Sequence, residues 1–232
     1  MKRKLVFCSM SIIIAIGITV YFMAGCATVP KTTWRIWYEM DPTTLSPQTK
    51  KGLTIEIEYM DKQKSKALGF TTTRTVEGIL GPTTETVALD PFYSKYVTGF
   101  RVKITNGMSH ILRMKDARIA LVVGGKRYPA LRREEWARVF TGPEGNPYSE
   151  VRVINSLDFN IINDLGVEIY PDPDLPEIGY VAFRIPTEQA KEGTITFFDM
   201  TTKVDAAGTP LEKEKFEFKI IQKMEQIQVG TQ

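Results

Sequence analysis

Cysteine occurs only twice in 232 residues, as Cys8 and Cys26. Both lie near the start of the chain, so nothing after position 26 can form a disulfide. A secreted scaffold stapled by disulfides shows an even set of spaced cysteines; this chain must rely on its core. Length permits that, because a domain of about 200 residues buries most of the surface its unfolded chain exposes. Histidine is scarcer still, with His110 alone. A Ser-His-Asp or Cys-His site needs a histidine placed between a nucleophile and an orienting group, and no local motif surrounds Gly107-Met108-Ser109-His110. His110 therefore reads as an exposed turn residue. Structural zinc wants four Cys or His ligands, which the chain past Cys26 does not contain. An excess of one charge sign is missing too. Without Lys2, Arg3 and Lys4, the 30 basic residues fall to 27, equal to the 27 acidic ones. That balance argues against a nucleic-acid face and against electrostatic steering of a charged substrate. Phosphate-binding glycine loops are absent: Gly124-Gly125 lacks the following helix and Lys-Ser/Thr, and Gly78 and Gly81 stand alone.

The N-terminus is organised as an export signal. Met1-Lys2-Arg3-Lys4 is basic, Leu5 to Gly25 carries no charge, and small residues precede Cys26. The charge-free run is long enough to span a bilayer, so an uncleaved anchor is the alternative. Met23-Ala24-Gly25-Cys26 resembles the bacterial lipobox, in which the cysteine is acylated and becomes the first mature residue. On this reading residues 1–25 are a lipoprotein signal peptide and 26–33 are the lipidated Cys26 and a short tether. Residues 34–232 form a single domain, with 34–90 as a less regular extension. Both alternatives place the domain outside the cytoplasm. Ala27, rather than Asp, after the cysteine favours the outer membrane in a two-membrane organism, by resemblance to lipoprotein sorting.

The domain reads as all-β. Trp34 to Met40 is aromatic-rich and strand-like, and Asp41-Pro42 stops it. Leu53 to Tyr59 alternates apolar and polar residues, the signature of a strand with one buried face. Asp61 to Pro91 is irregular, with room for a short helix or strand. Phe100, Val102 and Ile104 alternate with Arg101, Lys103 and Thr105, and Asn106-Gly107 predicts a tight turn with positive φ. Ala117 to Val123 and Lys126 to Leu131 form a hairpin about Gly124-Gly125. Arg132 to Phe140 is the best helix, with Val139 and Phe140 three and four residues after Trp136. Residues 142–147 are loop by composition, and 151–169 stay open between strand and helix. The prolines of Pro171-Asp172-Pro173-Asp174-Leu175-Pro176 predict an extended linker. Three strands follow, at Gly179 to Ile185, Thr194 to Met200 and Lys215 to Ile221, with a turn at Asp205 to Pro210. Phe216, Phe218 and Ile220 should face the core, with Val181 and Phe183, while Lys215, Glu217, Lys219 and Arg184 face solvent. The sum is an antiparallel β-sandwich with one short helix.

Three stretches carry a family resemblance. They are Phe100 to Asn106, then Ala117 to Leu131 with its Gly-Gly turn and Tyr128-Pro129-Ala130-Leu131 return, then Gly179-Tyr180-Val181-Ala182-Phe183. The order is similar to that of uncharacterised bacterial lipoproteins with immunoglobulin-like domains, and the similarity spans Val97 to Ile221. It implies an immunoglobulin-like sandwich and an extracytoplasmic location, and carries over no catalytic residues.

Candidate site chemistry is thin. Asp172, Asp174 and Glu177, with Asp199 and Asp205 in reserve, offer oxygens at a spacing calcium uses, but no Asp-x-Asp-x-Asp-Gly loop is present. Solvated linker is the default, and no cofactor or metal is expected. Among the aromatics, Trp34, Ile36, Tyr38 and Met40 share one strand face and Trp37 the other, burial between sheets being favoured for Trp37. Phe92, Tyr93 and Tyr96 either pack under a sheet edge or form a partner patch. The expectation is a non-enzymatic envelope module that binds another protein, attached to the membrane through Cys26. A glycan- or cell-wall-binding module is the alternative, and a carboxylate-dependent hydrolase the weaker one.

Overall fold

The computed structural model describes residues 31–68, 71–78, 81–88, 92, 97–140, 160–186 and 190–229. The export signal, Cys26, Tyr93, Tyr96, the loop at 142–147 and residues 151–159 of the ambiguous segment lie outside the described residues. Two compact units divide the chain: Ile36–Met224, and Met1–Arg35 with Glu225–Gln232. The first holds the fold described below.

Strands make up 62% of the structure and helices 9%, so the all-β expectation holds. In chain order the strands are β1 (Lys31–Met40), β2 (Gln48–Lys50), β3 (Leu53–Tyr59), β4 (Thr71–Gly78), β5 (Gly81–Ala88), β6 (Val97–Asn106) and β7 (Leu112–Arg113). They continue with β8 (Arg118–Val123), β9 (Lys126–Pro129), β10 (Glu168–Ile169), β11 (Asp172–Arg184), β12 (Glu192–Val204) and β13 (Pro210–Val229). Helix α1 is Lys62–Ala67 and α2 is Arg133–Phe140. Among the described residues there are two α-helices, α2 at the place read as the best helix and α1 within the stretch read as holding a short helix or strand. Asp61 starts α1, its side chain accepting from the Lys64 N–H at 2.8 Å. The first strand starts at Lys31, inside the stretch read as tether.

Five strands form one sheet in the order β1-β13-β12-β8-β9, and four form the other, β11-β6-β3-β2. The β11–β6, β6–β3, β3–β2, β13–β12, β12–β8 and β8–β9 pairings are antiparallel. Their inner faces share one core. Leu53, Ile55, Ile57, Phe100, Val102, Ile104, Val181 and Phe183 enter it from the four-stranded sheet. Ile119, Leu121, Val123, Ile195, Phe197, Phe216, Phe218 and Ile220 enter it from the other. Fully burying each such side chain contributes about 1.5–3 kcal/mol, which is how a chain without disulfides holds two sheets together. The predicted alternation is observed at both named strands: Lys215, Glu217, Lys219 and Arg184 are exposed.

A second, smaller core sits where the other face of β6 and β11 is covered. Met60, Phe92, Val97, Leu131, Trp136, Ile161 and Ala182 form it. Phe92 meets Trp136 edge to face, with centroids 4.9 Å apart, and tilts against Tyr180 at 4.6 Å. Phe92 is therefore a core residue and not part of a partner patch. Gly99 of β6 is required here, since a Cβ would lie 2.7 Å from the Phe92 Cβ.

Three local readings are corrected. Asn106-Gly107 is not a positive-φ turn, because neither residue adopts that conformation. Asn106 is instead fully buried. Its Nδ2 donates to the carbonyls of His110 and Ile169 at 2.9 Å each, and its Oδ1 accepts from the Met108 N–H at 3.0 Å. It closes the 107–110 loop from inside. The proline-rich stretch is not a linker: Asp172 pairs with Asn106, the ladder resumes only at Glu177 with Ile104, and residues 173–176 bulge from β11 between them. Asp61 to Pro91 contains, besides α1, the β4–β5 hairpin, whose strands pair only with each other. The Gly124-Gly125 hairpin is as read, with φ of 56° and 78°.

The edge of β13 is covered in an unusual way. On the side away from β12, where β1 is its neighbour, several β13 carbonyls are also met by the chain that follows β1. The Lys219 carbonyl accepts from the Asp41 N–H at 3.0 Å and the Thr44 hydroxyl at 3.1 Å. Gln48 Nε2 donates to the Glu217 carbonyl at 2.6 Å, and Lys50 Nζ donates to that of Lys215. One backbone N–H and three side chains from the segment between β1 and β3 satisfy these carbonyls.

Candidate functional site

A groove of about 410 Å³ opens on the outer face of the five-stranded sheet. It starts from an irregularity in β12. Phe197 pairs with Phe216, but the next β13 pairing is Met200 with Glu214, so β12 carries one extra residue. Phe197 and Met200 both point into the core. The two residues between them, Phe198 and Asp199, are both turned outward. Asp199 adopts a left-handed φ of 57°, a conformation Asp tolerates better than most residues. Bulges of this kind re-aim side chains, and here the re-aimed pair fixes two arginines.

Arg118 lies opposite Phe198 in the β8–β12 ladder. Its Nε and Nη2 both donate to Asp199 Oδ2, at 2.8 and 2.6 Å. Arg127 on β9 places its guanidinium carbon 4.7 Å from the centre of the Phe198 ring, a cation–π contact. Arg132, at the start of α2, is the third cation on the groove. Its backbone N–H donates to Glu135 Oε2 at 3.0 Å, half of a capping box that fixes the Glu135 carboxylate. Asn163 completes the wall. Its Nδ2 reaches the carbonyls of Ala130 and Leu131 at 3.3 Å each, while its buried Oδ1 has no partner among the described residues. Pro129, Ala130 and Ala120 supply apolar lining. Three arginines thus border a ligand-sized hollow, with the guanidinium groups of Arg118 and Arg127 held in place and apolar residues beside them.

The residues singled out from sequence lie elsewhere. His110 is half-buried, not an exposed turn residue. It borders a recess of about 240 Å³ with Met108 and Thr202, and its Nε2 has no partner among the described residues. The carboxylates do not converge, and among the described residues no three acidic, His or Cys side chains form a metal cluster. Asp172 Oδ1 accepts from the Asp174 N–H at 2.9 Å, and Glu177 accepts from Asn160 Nδ2. Asp199 holds Arg118. Asp205 caps its own turn, accepting from the N–H groups of Thr209 and Ala207 at 2.8 and 2.9 Å. Those bonds, Thr209 foremost, hold its carboxyl below the usual range. Tyr38 is buried in the core, and burial pushes its hydroxyl up. Trp37 lies half-buried on the face opposite Tyr38, its Nε1 donating to Glu39 Oε1 at 2.8 Å, so it is not buried between the sheets. Trp34 is 61% exposed, so the shared face of Trp34, Ile36, Tyr38 and Met40 leaves the core at its N-terminal end.

A second exposed feature borders β11. Residues 160–162 and Leu131 take its outer edge at Tyr180 and Ala182. Before that point Tyr170, Leu175 and Ile178 stand exposed at 62%, 73% and 40%. Among the described residues, no helix is long and apolar enough to cross a membrane. The arginines of the groove were not visible as a site in the sequence, because Arg118, Arg127 and Asp199 meet only through strand pairing and a bulge. No family model matches the chain, and neither does any curated protein or solved structure.

Proposed function

We propose that the chain is an extracytoplasmic lipoprotein, anchored through an acylated Cys26, whose sandwich binds another envelope protein without catalysing a reaction. The anchor reading is supported by the basic, apolar and small-residue zones that end at Cys26. The similarity to bacterial lipoproteins with immunoglobulin-like domains agrees with it. The observation that carries the binding reading is the run of exposed apolar side chains along the β11 border, Tyr170, Leu175 and Ile178. Large apolar side chains left exposed this close together in the chain point to an interaction site. Pro171, Pro173 and Pro176 deprive this edge of N–H donors, so a partner docks on side chains and does not add a strand.

A photo-crosslinking residue placed at Leu175 in the full chain, expressed in its own cells, tests this. The expected result is one discrete protein adduct, lost when Ile178 is changed to Lys. A carbohydrate adduct, or a protein adduct indifferent to Ile178→Lys, would overturn the reading.

A further inference from the structure

We propose that the arginine-lined groove between β8, β9, the β12 bulge and α2 binds a small monocarboxylate with a short apolar body. This goes beyond the protein-binding reading and does not depend on it.

The argument begins with what the ion pair does. Arg118 is 71% exposed, and an ion pair there adds at most about 1 kcal/mol to stability. Its geometry is nevertheless specified by an extra residue in β12 and by a left-handed aspartate. The pair fixes Arg118 in place: Nε and one Nη2 hydrogen go to Asp199, and Nη1 keeps both of its donors. The Phe198 ring holds Arg127 through its face, which leaves the in-plane N–H donors of that guanidinium unengaged by the contact. Two forks are thus oriented before a ligand arrives, and side-chain ordering is a main cost of binding.

The ligand's chemistry follows from the lining. Guanidinium forks match the two coplanar oxygens of a carboxylate. Three arginines against Asp199 and Glu135 leave one net positive charge, which suits a monoanion; a phosphate dianion would meet the Glu135 carboxylate uncompensated. Pro129, Ala130 and Ala120 offer contact to an apolar body and no hydrogen-bonding side chain. The volume, about 410 Å³, lies at the lower end of small-molecule sites. Nothing here engages a polymer backbone.

The test uses the full chain in detergent micelles, followed by calorimetry and by NMR of the arginine side chains. The probes are N-acetyl-alanyl-alanine, its C-terminal amide, hexanoate and inorganic phosphate. Saturable binding of the peptide acid or of hexanoate is expected, with the amide and phosphate at least roughly tenfold weaker, the effect of losing a charge-assisted pair. The two acids distinguish a peptidic from an acyl source. Arg118→Lys keeps the charge and loses the fork, and should weaken binding roughly tenfold. Asp199→Ala should weaken it as well although Asp199 does not touch the ligand, while Arg101→Lys, away from the groove, should leave it unchanged. Circular dichroism and melting temperature identify folded variants. Amide or phosphate binding as tight as the acids, no saturable binding of either acid, or folded Arg118→Lys with undiminished affinity would each overturn the proposal.

Discussion

Phe197 of β12 and Phe218 of β13 meet edge to face, with ring centroids 5.9 Å apart and planes at 76°. They are diagonal neighbours across the ladder, since Phe218 pairs with Ile195 and Phe197 with Phe216. The contact exists only in this register; a one-residue slip of β13 would turn Phe218 to solvent and bury Lys215, Glu217 and Lys219. Phe218→Ala should cost about 3–5 kcal/mol, the usual price of a buried Phe. Glu217→Ala removes an exposed side chain paired with Lys215 at 3.0 Å and should stay within about 0.5 kcal/mol of neutral. Urea denaturation of the two variants decides it, and equal midpoints would contradict the register.

Asn106 is the polar keystone of the β6 end. Asn106→Ala leaves the buried Ile169 carbonyl without its Nδ2 donor and the Met108 N–H without its acceptor. Each unpaired group costs about 1–3 kcal/mol. Asn106→Asp should be worse at neutral pH, because a carboxylate would then face two carbonyl oxygens. Thermal unfolding of both variants checks the order, and Asp milder than Ala at pH 7 would refute it.

Gly99→Ala should destabilise by about 1–3 kcal/mol through overpacking. The new methyl meets Phe92 at both Cβ and Cα, and Phe92 is held between Trp136 and Tyr180. Gly166→Ala is the contrast. It has open space around it and no positive φ, so it should be neutral or slightly stabilising. A folded Gly99→Ala with unchanged melting temperature would show that the second core is looser than its packing implies.

Asp205 makes a pH prediction. Its folded-state pKa is depressed by the turn N–H groups, that of Thr209 first. Its contribution is therefore complete above the unfolded-state value of about 4 and is lost as pH falls through the lower folded value. Asp205→Ala should be less stable than the parent at pH 6, and the gap should close as pH falls below about 4. Denaturation midpoints from pH 2 to 7 would show it, and a gap that widens in acid would reverse the sign.

Cys26→Ser should abolish acylation and leave the precursor uncleaved or miscleaved, since serine cannot carry the thioether. Mass spectrometry of the mature N-terminus reads the result. An unmodified Cys26 or a retained Met1 in the parent would remove the anchor.

The strands were legible where one face is buried and the other wet. Leu53–Tyr59 and Phe216–Ile220 alternate because solvent and core demand different chemistry every second residue. The β4–β5 hairpin was not, because Thr71 to Thr75 and Thr83 to Thr86 show no contrast between faces. Pro171 to Pro176 misled for a different reason. Proline reports only a restricted φ, and an edge bulge satisfies that restriction as well as a linker does. Asn106-Gly107 carries a turn signature, yet the Asn serves the interior. The groove lay beyond any local reading. Arg118 and Asp199 are 81 positions apart, and no periodicity announces that one inserted residue in β12 turns Asp199 outward.

The stitched margin of β13 has a consequence for how the protein tolerates its own kind. An open row of strand carbonyls is a template on which another copy can polymerise. Here Asp41, Thr44, Gln48 and Lys50 occupy that row from within the same chain. Asp41 and Thr44 follow β1, while Gln48 and Lys50 belong to β2, the edge strand of the other sheet, so the two sheets are joined at this margin. The carbonyls of Lys215, Glu217 and Lys219 are thereby already engaged and offer a neighbouring copy no free acceptors at these positions.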